Sequence, residues 1–60
     1  MPTEETLRFL ARSRAEVVAG SRGERCFAAI AGRWGVVEGY GRTSAEALVD
    51  AVSRLLRRLR

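Results

Sequence analysis

Residues 25–41 read RCFAAIAGRWGVVEGYG. The stretch holds two apolar runs, Arg25–Ala31 and Trp34–Gly41, on either side of Gly32-Arg33. Aromatic and β-branched residues fit a pleated, half-buried surface, and a two-residue link beginning with glycine fits a tight reversal. The stretch therefore predicts a β-hairpin that turns at residues 32–33.

Downstream, Thr43-Ser44-Ala45-Glu46 has the form of a capping box, an N-cap hydroxyl with a carboxylate three positions on. Behind it Ala45, Leu48, Val49, Val52, Leu55, Leu56 and Leu59 recur at helical period. Glu46, Asp50, Arg54 and Arg58 form an i,i+4 row on the opposite side, acids first and bases last, which suits the helix dipole. A helix over about residues 44–59 follows.

Upstream, Thr3 suits an N-cap, and Glu4 and Glu5 suit a first helical turn. Leu7, Leu10 and Ala11 make an apolar stripe, with Arg8 and Arg12 on another face, so a helix is expected over about 4–14. The intervening AEVVAGSRGE admits two readings. Val17-Val18 could extend the helix to a C-cap at Gly20, or form a short strand closed by a turn at residues 20–23. The β-branched pair beside a glycine-rich turn favours the strand.

The resulting order is α-β-β-β-α in a single domain over residues 1–60. Two apolar-striped helices need a common surface, which gives an α+β fold: a small two-layer sandwich with an antiparallel sheet and both helices on one face. A chain this short buries only about 60% of its unfolded surface, so its core is small.

Composition narrows the chemistry. The net charge is +4, and every basic residue is arginine, whose guanidinium forks onto phosphates. There is one cysteine, Cys26, and no histidine, so an internal disulfide is excluded and a metal site or a histidine-dependent catalytic triad is not expected. No catalytic constellation stands out, and the expectation is a non-enzyme without cofactors or small-molecule substrate. No run approaches the roughly 18–20 apolar residues of a membrane span, and acids occupy the start of the chain, so a cytoplasmic location away from membranes is expected.

Connectivity suggests a site. Strands alternating in direction put the 20–23 turn and the 41–44 corner at one end of the sheet. Arg22, Arg25, Arg42 and Ser44 would then gather beside the start of the last helix, a natural anion site. Taken singly, these arginines also read as solvated turn residues. Arg54, Arg57, Arg58 and Arg60 read as a helix end whose cations complement the dipole, far from that corner. If Gly39 and Gly41 let the last helix pack closely, Trp34, Val36 and Tyr40 fall on the open sheet face. They would make an association surface, a homodimer contact in the first instance. Cys26 reads as a small buried hydrophobe, and Glu38 as an edge-strand charge that opposes aggregation.

The corner GYGRTSAEA resembles that of double-stranded-RNA-binding domains, an α-β-β-β-α family with alternating glycines, a Ser-Lys-Lys corner and an alanine-rich helix. Gly39 and Gly41 match the glycines, Thr43 the serine and Ala47 a helix alanine; Phe27, Leu7 and Leu10 suit the second strand and first helix. The family's corner lysines fall on Ser44 and Ala45, and the next on Leu48. The resemblance implies a structured-RNA partner gripped through its phosphates. GRTSAEAL after a hairpin also resembles the corner of HicB-type antitoxins, which implies a small protein partner.

Overall fold

A computed structural model describes residues 4–60, and not the side chains of residues 6 and 7. The N-cap expected at Thr3 and the apolar contact expected of Leu7 lie outside the described residues. The elements are α1 (Glu4–Arg12), β1 (Glu16–Arg22), β2 (Arg25–Gly32), β3 (Gly35–Gly41) and α2 (Ser44–Arg58). The strands form one antiparallel sheet in the order β1-β2-β3. Both helices pack on the same face, where Leu10 of α1 and Ala47, Ala51, Val52 and Leu55 of α2 share a core with Ala28, Ile30 and Val37.

Helix α1 ends where the backbone turns left-handed at Arg14, φ +53°. The Ala15 N–H donates to the Leu10 carbonyl and the Arg14 N–H to the Ala11 carbonyl, the paired bonds of a Schellman stop. Of the expected stripe, Leu10 is buried, but Ala11 is exposed. Phe9 instead stacks on Trp34, with ring centroids 6.0 Å apart.

Both hairpin turns differ from expectation. Strand β1 does not stop at Val18. It runs through Gly20 and Ser21 to Arg22, each residue paired with β2, and the reversal falls on Gly23-Glu24. A positive φ of +63° at Gly23 is what a two-residue hairpin turn requires there. The second reversal falls on Arg33-Trp34, one residue later than predicted, with Gly32 paired to Gly35.

That shift corrects the placement of Trp34. It belongs to the turn, so the alternation of β3 does not govern it. Trp34 folds to the helix side over Gly32 and packs against the core. Its indole N–H donates to the Ile30 carbonyl (3.2 Å). Val36 and Tyr40 do lie on the open face, beside Phe27, Ala29 and Ala31 of β2.

The α2 face is also rotated from the one read in the sequence. Its buried positions are Ala47, Ala51, Val52 and Leu55, while Ala45, Leu56 and Leu59 are exposed. The cause is β3. A Cβ on Gly39 would lie 2.6 Å from the Cα of Ala51 and nearer still to its backbone N. Helix backbone meets strand backbone at this point, and only alanines fit beside it.

Candidate functional site

The row Glu46, Asp50, Arg54, Arg58, expected to face away from the sheet, runs along the outer edge of β3. Glu46 accepts the Arg42 N–H (2.9 Å), and Asp50 accepts the Tyr40 N–H (2.9 Å). Lower down, Arg58 donates to the Trp34 carbonyl (3.2 Å). Asp50 also accepts from the Arg54 guanidinium (3.1 Å). The two carboxylates thus take N–H donors, and the terminal guanidinium takes a carbonyl. The edge of β3 is capped by side chains at Tyr40 and just beyond each end of the strand.

The capping box forms in altered form. Thr43 is the N-cap and its hydroxyl accepts the Glu46 N–H (3.1 Å), while the Glu46 carboxylate reaches one residue further back, to Arg42. This fixes the corner and orients Arg42. The Cys26 thiol, half-buried under the same corner, donates to the Arg42 carbonyl (3.6 Å).

An open groove of about 760 Å³ lies along this edge, lined by Arg25, Tyr40, Arg42, Val49, Ser53 and Arg57, with Glu46 and Asp50 in its wall. Arg25 and Arg42, predicted to meet, do line one surface. Arg57, read in the sequence as remote, joins them. It lies on the α2 face that carries Val49 and Ser53 down the groove. The i,i+4 run Val49, Ser53, Arg57 was visible in the sequence, but the direction in which that face turns was not. Arg22 faces elsewhere: its guanidinium lies over the Phe27 ring, 5.4 Å from the centroid, on the open sheet face. Ser44 opens α2, is exposed, and does not line the groove.

The electrostatics follow from these bonds. The Tyr40 N–H and, more weakly, Arg54 hold the Asp50 carboxyl below its usual range. Across the strand, the Tyr40 hydroxyl donates to the Glu38 carboxylate, which raises the Tyr40 pKa. Among the described residues, Arg25, Arg42 and Arg57 form no ion pair, and no group of side chains is suited to hold a metal ion. Nor is any described helix long and apolar enough to cross a membrane. No protein-family model, curated protein or solved structure matches the chain.

Proposed function

We propose that the chain is a small non-enzymatic nucleic-acid-binding module that grips the phosphates of structured, double-stranded RNA. One observation carries this reading. Arg25, Arg42 and Arg57 come from three separate parts of the chain and line one groove without a direct ion pair among the described residues, while the nearby acids accept backbone N–H groups and, at Asp50, the Arg54 guanidinium. Guanidinium groups spaced along a surface suit a polyanion better than a single small anion. The α-β-β-β-α order and the GYGRTSAEA corner agree with the resemblance to double-stranded-RNA-binding domains. Arg22 and Ser44 take peripheral roles at most, given where they lie.

The test is a titration against a short RNA duplex, and a DNA duplex of the same sequence, at two salt concentrations. Three phosphate contacts predict a slope of log K against log salt of about −2 to −3. The R25E/R42E/R57E variant should lose the binding. Failure of the natural chain to bind at low salt would overturn the reading. A second reading, a protein-interaction module of the HicB-like kind, draws on the uncovered sheet face, where Val18, Val36 and Tyr40 are exposed. A folded chain that ignores RNA but captures a small protein through that face would favour it.

A further inference from the structure

The two edges of the sheet are unlike. Side chains of α2 cap the edge of β3 at Tyr40 and beyond both its ends, whereas α2 lies close to β3 and β2 and barely approaches β1. Strand β1, EVVAGSR, is solvent-exposed on both faces, with Val17 49% and Val18 57% accessible. It contains no proline, and its charges sit only at its two ends. Such an edge is a template for another strand.

The sequence of β1 says which strand. Glu16 begins it, Arg22 ends it, and Ala19 is its midpoint. Two copies laid antiparallel about a two-fold axis at Ala19 put Glu16 of each opposite Arg22 of the other. Val18 then falls opposite Gly20, and Val17 opposite Ser21. Paired residues share a face of the sheet, so both ion pairs form on the open side. Gly20 makes the fit. A Cβ there would lie 2.8 Å from the Phe27 ring, which therefore leans over Gly20 toward the β1 edge. In this register the exposed Val18 of one copy lands against the Phe27 ring of the other. The same ring already carries Arg22, whose guanidinium lies over the open sheet face and needs only to swing outward to meet the opposing Glu16.

We infer that β1 pairs with β1 of a second copy of this chain, through the Glu16–Arg22 and Val18–Gly20/Phe27 contacts, to make a two-fold dimer with a continuous six-stranded sheet. The interface is isologous: one patch complements itself. It leaves the arginine groove at the opposite edge of each copy free, so it does not depend on the RNA reading.

Sedimentation equilibrium tests it. The natural chain should show the mass of two chains at high concentration. E16R and R22E should each place like charges at both ends of the interface and weaken dimerisation about tenfold or more. The E16R/R22E double variant should restore it. V18K should weaken it as well, and V36K, on the far strand, should not. A monomer at every concentration overturns the proposal. So does a dimer that ignores the charge exchange, or one broken by V36K, which would signal sheets stacked face to face. Circular dichroism confirms that each variant is folded. If a single variant is not, hydrogen exchange of the natural chain decides. Slower exchange of the β1 amides at higher concentration supports the pairing, and unchanged rates overturn it.

Discussion

The carboxylate of Asp50 accepts the backbone N–H of Tyr40 across 2.9 Å, and so ties the middle of α2 to the outer edge of β3. The bond satisfies a donor that an edge strand otherwise leaves to water. D50A should cost about 1 kcal/mol, discounted for a carboxylate that is partly exposed, or a fall of about 4–8 °C in Tm for a domain of this size. The folded-state pKa of Asp50 is depressed. Its stabilisation is therefore fully present above the unfolded carboxylate value and is lost as pH falls through the lower folded value. D50N keeps an acceptor oxygen and should flatten that acid limb. Thermal melts between neutral and strongly acidic pH would show it.

Gly39 sits against the backbone of α2 with no room for a methyl group. G39A should force the helix off the sheet and cost about 3 kcal/mol or more, since the obstructing atoms are backbone and cannot change rotamer. Urea unfolding measures the loss. A change under about 1 kcal/mol would mean that the helix can shift at little cost.

Arg14 holds a left-handed φ of +53° at the stop of α1, a conformation that costs a residue with a Cβ about 1 kcal/mol. R14G should raise stability by up to about that amount, even though glycine adds freedom to the unfolded chain. A lower Tm for R14G would show that the arginine side chain contributes something the backbone geometry does not account for.

Trp34 is the only tryptophan in the sequence, and its ring stacks on that of Phe9. Its emission thus reports whether α1 is docked. F9A should shift that emission to longer wavelength and cost about 1 kcal/mol, the size of a stacked aromatic pair. An unshifted spectrum would place the indole's shielding in Ile30 and Gly32 alone.

Tyr40 is likewise the only tyrosine, so its ionisation can be followed directly in the near ultraviolet. The hydrogen bond to Glu38, and then the charge of that carboxylate, hold its pKa above the ordinary value of 10.0. The contribution to stability is complete below the unfolded pKa and disappears as pH rises through the folded one. E38Q should bring the titration midpoint down toward the ordinary value.

The elements were legible in the sequence because their signals are local. The hairpin stretch at 25–41 and the Thr43–Glu46 box each name their structure within a few residues, and the sheet and α2 follow. Trp34 was misplaced because one residue of turn position decides whether a side chain obeys strand alternation. The row from Glu46 to Arg58 was seen as helix pairs, since i,i+4 spacing is visible along a chain. Its role at the β3 edge was not, because that depends on how far Gly39 lets the helix turn toward the strand. The candidate groove was half legible for the same reason: Arg25 and Arg42 meet through sheet connectivity, whereas Arg57 enters only through the helix's rotation.

The bare contact between Gly39 and Ala51 has a mechanical consequence. A second such contact lies one turn nearer the helix start, where a Cβ on Gly41 would lie 2.8 Å from the backbone N of Ala47. At both points main chain meets main chain, and neither contact can be relieved by a change of rotamer. Two such supports, on one strand and under one helix, fix the height and tilt of α2 over β3. Arg42 follows the strand and Arg57 rides the helix, so the span between their backbones is set by main-chain contact rather than by side-chain packing.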